Sequence, residues 1–161
     1  MSSEITVRRK APAEAIDSQL APLTLLRDTL AILGPRIVRE HAVRMGDKYY
    51  ITVAGVTLVA ATFGYHVREV GARRIDVDGV GAWEATSEVV RASDGMVLGR
   101  GSAICMDDEK GWEKRPQFAR RAMASTRSAG RALRLFFGHA FTMLGENVAT
   151  VTREEMPEDA E

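Results

Sequence analysis

Between Arg115 and Gly145 the chain contains no aspartate or glutamate, yet it carries six arginines and His139. Surface helices ordinarily interleave acids with bases, because opposite charges four residues apart stabilise them. This stretch is nonetheless the strongest helix signal in the sequence. Pro116 suits a first turn, and the helix is predicted to run to about Leu144 with a bend at Gly138. At about 100° per residue, Arg120, Arg127, Arg131 and Arg134 fall within roughly 60° of one another, and Phe118, Ala122, Ala129, Leu133, Phe136 and Ala140 fall opposite. The spacing therefore predicts one apolar face and one arginine stripe with no counter-charge on its own helix. Like charges on one face repel, so an anion from outside the helix is expected. A polyphosphate backbone suits such a row, because guanidinium forks fit phosphate oxygens and stack on bases. The alternatives are a solvated face, or pairing with acids from other segments: Asp107, Asp108, Glu109 and the C-terminal residues. Ala124, Ser125, Ser128 and Gly130 are small, which suits either close approach of a ligand or tight packing on a sheet.

The whole chain is balanced, with 22 basic and 22 acidic residues among 161. It is not a polycation, and its charge is segregated instead: residues 146–161 hold six acids against Arg153 alone. A hydrophobic share of 45% is enough for the core of a single domain. One cysteine, Cys105, excludes an intrachain disulfide and a cysteine zinc cluster; it is expected to be buried in a strand. His41, His66 and His139 show no metal spacing. Asp76 with Asp78, and Asp107-Asp108-Glu109, raise a two-metal nuclease, but both groups lie in predicted turns and no spaced His or Lys completes a site. No phosphate-loop motif supports ATP-driven chemistry. The chain is expected to be no enzyme and to need no cofactor. No segment approaches the ~20 apolar residues of a membrane span, and the polar, basic start has no signal-peptide pattern. A cytoplasmic location without membrane contact is the expectation.

Residues 1–19, with Arg8, Arg9 and Lys10, are predicted to form a loose arm, residues 20–145 a domain, and residues 146–161 an acidic disordered tail. Leu23, Leu26, Leu30, Leu33 and Ile37 share one face of a helix from Leu20 to about Val43, with Gly34-Pro35 breaking or kinking it. Tyr49 to Val53 reads as a strand, Val56 to Phe63 as a short helix ending at Gly64, and His66 to Val77 as a strand. Trp83, Ala85, Ser87 and Val89 alternate with Glu84, Thr86 and Glu88. Asp94-Gly95 then turns a hairpin into a strand from Met96 to Met106. Gly79, Gly81, Gly99 and Gly101 suit hairpin geometry. The predicted fold is α+β: an N-terminal helix, a small antiparallel β-sheet with a hairpin, and a long C-terminal helix packed on the sheet.

The run Ala122-Met123-Ala124-Ser125-Thr126-Arg127-Ser128-Ala129-Gly130-Arg131-Ala132-Leu133-Arg134 resembles the helix signature of phage and actinobacterial single-strand DNA annealing proteins, M-A-x-T-R-A followed by A-L-R. It is also similar to the T-D-x-x-K-R-A-L-R-x-F-G-N signature of the Rad fifty-two recombination superfamily. Thr126, Arg131, Ala132, Leu133, Arg134, Phe136 and Gly138 stand for letters of the latter. Gly81-Ala82-Trp83-Glu84-Ala85, Val97-Leu98-Gly99-Arg100, Asp108-Glu109-Lys110 and Trp112 are similar to the region before that helix in the phage proteins. The match covers roughly residues 45–145 and is specific from about 115 to 140. Arg127 replaces the signature's Asp and Gly130 its Lys, one extra residue separates Arg134 from Gly138, and His139 replaces Asn. The DNA-contacting lysine thus has no counterpart at Gly130, whereas Arg131 is carried over and Arg127 lies on the same face. The resemblance implies a β-β-β-α core, ring or helical homo-oligomers, and a basic groove that grips the DNA backbone while bases stay free to pair. Single-stranded DNA, further copies of the chain, and a recombination exonuclease or single-stranded DNA-binding protein are the partners that follow. The expected DNA-binding residues are Arg120, Arg127, Arg131 and Arg134, joined by Arg73 and Arg74 at a strand end and by Lys48, Lys114 and Arg115 at element ends. Tyr49 and Tyr50 are candidates to stack bases or to be half-core. The other reading is an oligomeric protein-interaction module whose basic helix meets an acidic partner, including its own tail or a neighbour's; the acidic tail is a solubilising end, a competitor of DNA lying in the basic groove, or a dock for a partner protein.

Overall fold

The computed structural model describes residues 12–145 and 147–156, with the side chains of 12–23, 139, 141 and 142 outside the description. Arg8, Arg9 and Lys10 lie outside it. The element order is helix α1 (Pro12–His41), strands β1 (Ala42–Met45) and β2 (Lys48–Ile51), helix α2 (Val53–Thr62), strands β3 (Tyr65–Val77), β4 (Val80–Arg91) and β5 (Val97–Met106), and helix α3 (Gln117–Met143). A 3-10 turn, Arg153–Glu155, follows. The α+β expectation holds: β1 and β2 form one antiparallel pair, β3-β4-β5 form an antiparallel sheet, and α3 packs across that sheet.

Local chemistry sets most of the element boundaries. The β3–β4 turn places Asp78 at φ 52° and Gly79 at φ 84°, the pair of left-handed residues that a two-residue hairpin requires. At the β4–β5 turn the Asp94 carboxylate accepts from Met96 N–H and pairs with Arg91. Thr52 caps α2 through its hydroxyl, which accepts from Gly55 N–H, and Gly64 at φ 76° ends it. Helix α1 starts at Pro12, inside the segment expected to be a loose arm, and it does not end at Gly34-Pro35 but continues to His41. Leu30 and Ile37, fully buried on one side, hold it to the body.

The main core lies between α1, α2 and the C-terminal half of α3, where Leu30, Ile37, Ile51, Val56, Val59, Leu133, Phe137 and Ala140 meet. A smaller cluster of Ala85, Cys105 and Ala124 joins the N-terminal half of α3 to the sheet. Helix α3 is therefore packed on two sides, and the single apolar face read from its wheel is divided. Leu133 and Ala140 are buried, whereas Phe118 is 75% exposed and Phe136 half-exposed. The small residues are tight packing. Ser128 and Ser87 share a buried hydroxyl bond of 2.7 Å, and Gly130 makes room for Thr152 and Val53. Of the four glycines expected at hairpins only Gly79 sits in a turn; Gly99 and Gly101 lie beneath α3.

The C-terminal residues also depart from expectation. Instead of a free tail, residues 147–156 lie along the body. Tyr49 N–H donates to Asn147 O and Ala149 N–H to Tyr49 O, Thr152 is completely buried, and the Glu154 carboxylate accepts from Val53 N–H at the start of α2. A carboxylate there answers both the unpaired N–H groups and the positive end of the helix dipole. Residues 157–161 lie outside the described residues.

Candidate nucleic-acid interface

The four arginines of the α3 row run along the free edge of β5. Asp107 N–H bonds to Gly81 O, so the odd-numbered residues of β5 bond inward to β4 and the even-numbered ones face the edge. The edge carbonyls of Ser102 and Ile104 accept from Arg131 at 2.9 Å and from Arg127 at 3.2 Å. An open edge strand invites unwanted pairing, and these two guanidiniums occupy part of it.

Counter-charges come from outside the helix. Asp107 lies between Arg74, at 2.7 Å, and Arg120, at 3.1 Å. Glu109 pairs with Arg127. Glu155, only 8% exposed, lies 3.2 Å from Arg134 and 3.7 Å from Arg131. The Arg74 hydrogen bond, and behind it the Arg120 charge, holds the Asp107 carboxyl below the usual carboxylate range. Among the described residues, these ion pairs set five guanidiniums against three carboxylates. Between the β5 edge, α3, the 107–114 loop and the 3-10 turn lies a cleft of about 340 Å³, lined by Ala103, Ile104, Glu109, Arg127, Arg131 and Glu155.

The sequence-predicted residues separate on this geometry. Arg131 and Arg134 keep 49% and 29% of their side-chain surface in solvent. Arg127 is 12% exposed and also donates to Glu154 O. Arg120 is no groove residue: its side chain is 9% exposed and donates to Trp112 O and Glu113 O, so it fastens the loop to the helix. Arg74 reaches the row through Asp107 and stacks over Trp83 at 5.7 Å. Arg73, its neighbour, points to the opposite sheet face as strand alternation requires and pairs there with Glu84. Lys114 and Arg115 are exposed before α3, with Arg115 over the Trp112 ring at 5.9 Å. Lys48 is exposed on β2 and takes part in none of these ion pairs. Tyr49 and Tyr50 are half-buried, and Tyr49 bridges to Val148.

The sequence offered the C-terminal acids as a group able to pair with the stripe without singling out Glu154 or Glu155, and it gave no sign of Thr152. Asp107 and Glu109 were visible as acids able to reach the stripe, without the pairing. On the open sheet face, buried Glu88 joins Arg68 and Arg100, and the Arg100 bond, followed by that of Arg68, lowers its pKa. Cys105 is buried on the covered face, where burial above all, helped by the Glu109 charge, pushes its thiol up to about 11. At pH 8 a thiol reagent is expected to leave the folded protein unlabelled and to titrate one group per chain once denaturant is added. Prompt labelling in plain buffer would contradict this environment.

Among the described residues no group of three His, Cys, Asp or Glu could hold a metal ion, and no helix is long and apolar enough to cross a membrane. No protein-family model, curated protein or solved structure matches the chain.

Proposed function

We propose that the chain binds single-stranded DNA without sequence specificity along the α3 arginine row and promotes annealing of complementary strands, as part of homologous recombination. The observation that carries this reading is the unequal sharing of charge along the row, where among the described residues five guanidiniums meet three carboxylates and Arg131 and Arg134 divide Glu155 between them. Three antiparallel strands followed by a long helix across them is also the β-β-β-α order that the resemblance implies. Phosphate contacts position a strand without reading it, so base edges remain free for a complement, and no catalytic residue is needed. Arg131 and Arg134 are the primary phosphate ligands, with Arg127, Lys114 and Arg115 extending the track. A ring or helical assembly of identical chains multiplies modest affinity through effective concentration. Phe118 and Leu135, 75% and 67% exposed on α3, are apolar surface such an assembly would cover.

Arg131→Ala/Arg134→Ala is expected to weaken binding of a fluorescent oligonucleotide on the order of 10- to 100-fold with the fold retained. Adding the complementary strand then reads annealing, which the wild type should accelerate. An RNA oligonucleotide of the same sequence tests whether the site distinguishes the sugar.

A second reading is favoured by Glu155 itself: the row already accepts a protein carboxylate. If an acidic peptide binds the folded chain and oligonucleotides do not, the helix serves an acidic protein partner.

A further inference from the structure

The cleft that should receive phosphate is closed along one side by residues of the same chain. Glu155 sets its carboxylate against Arg134 and Arg131, the backbone carbonyl of Glu154 accepts from Arg127 Nε at 2.9 Å, and Glu155 lines the cleft directly. Three of the four arginines of the row therefore touch one short turn. A carboxylate and a phosphate compete for the same guanidinium donors. Both cannot hold Arg131 and Arg134 in the geometry seen.

The attachment of this turn suits reversible release. Thr152 is its only fully buried side chain, seated where Gly130 leaves space. Two backbone bonds to Tyr49 fix its start. Val148 packs at the margin of the main core, and the rest of the hold is polar: Glu155 on the arginines, Glu154 O on Arg127 and the Glu154 carboxylate on the first N–H of α2. Arg131 and Arg134 keep part of their surface in solvent although Glu155 is nearly covered, so salt and competing anions reach the pairs from the arginine side. A DNA strand that offers several phosphates to the same cations can displace them.

We infer that residues 147–156 are an autoinhibitory latch, in which Glu155 occupies the place of a DNA phosphate and is expelled when single-stranded DNA enters. This rests on the DNA-binding reading above. The latch lowers affinity for isolated phosphates and short contacts, and it couples DNA entry to exposure of Thr152 and of the N-terminus of α2.

The test uses the full chain, wild type and Glu155→Gln, with a fluorescein-labelled oligothymidylate at fixed salt. Glutamine keeps the shape and an acceptor for Thr152 but removes the charge that mimics phosphate. The variant is expected to bind roughly five-fold tighter. Independently of any variant, hydrogen exchange on the wild type should show the amides of Ala149, Glu155 and Met156, all bonded in the free protein, losing protection when the oligonucleotide is added. Equal or weaker binding by Glu155→Gln, or protection that persists under saturating DNA, overturns the latch while leaving DNA binding intact. Failure of both proteins to bind at low salt overturns the DNA-binding reading and the latch with it.

Discussion

Gly101→Ala is expected to destabilise the protein by about 3 kcal/mol or more, enough to lower its melting temperature by roughly 10 °C. A Cβ on Gly101 would lie 2.9 Å from both Ala132 Cα and Arg131 C, and closer still to Ala132 N. All three are backbone atoms of α3, so no side chain can swing aside, and the helix would have to lift from β5. That movement would strain the Ser87–Ser128 bond and pull Arg131 and Arg127 from their edge carbonyls. Gly99, two residues earlier on the same strand face, is the control. Its Cβ would come no nearer than 3.9 Å to Ala132 O, so Gly99→Ala should be close to neutral. Thermal unfolding by circular dichroism distinguishes them, and equal melting points would refute the close contact between α3 and β5.

Arg120→Ala is expected to cost about 3 kcal/mol, a second large effect from a residue that looks like surface in the sequence. Its guanidinium is nearly buried and holds three things at once: the Asp107 carboxylate and the carbonyls of Trp112 and Glu113. Asp107 keeps Arg74 when Arg120 is lost, which places the estimate at the lower end for a broken buried pair. Trp112 O keeps Arg115 N–H, whereas Glu113 O loses the Arg120 donor, and an acceptor left without a partner costs more than its bond contributed. Chemical denaturation should show a lower midpoint with little change in slope. A midpoint within error of wild type would return Arg120 to the solvent-facing row.

Sequence pattern was informative where local geometry decides the outcome. The alternation of Trp83, Ala85, Ser87 and Val89 with Glu84, Thr86 and Glu88 is realised in β4, where the odd-numbered set faces α3 and the even-numbered set carries the Glu88 and Glu84 ion pairs of the other face. The end of α2 at Gly64 and the Asp94 turn were equally legible, since each depends on residues adjacent in the chain. The helical wheel failed on α3 because it assumes one buried face. This helix is covered by the sheet from its first turns to beyond Ala132 and by α1 and α2 over its C-terminal half, and Phe118 is left exposed while Arg120 is buried. The docked C-terminal turn was hidden for another reason. Its acids have the composition of a solvated tail, and what anchors them, Thr152 beside Gly130 and Glu154 on Val53, are contacts between residues far apart in sequence. The arginine row was legible as a row, whereas its partners Asp107, Glu109 and Glu155 are brought to it only by the fold.

The most direct test of the arginine row as a DNA grip is a salt titration. Wild-type protein and Arg131→Ala/Arg134→Ala would be titrated into a fluorescent single-stranded oligonucleotide at several salt concentrations. If three phosphates are neutralised, log affinity against log salt should fall with a slope of roughly −2, and loss of two contacts should reduce it to about −0.7. A folded wild-type protein that fails to bind at low salt, or a slope unchanged in the double variant, would contradict phosphate recognition by this row.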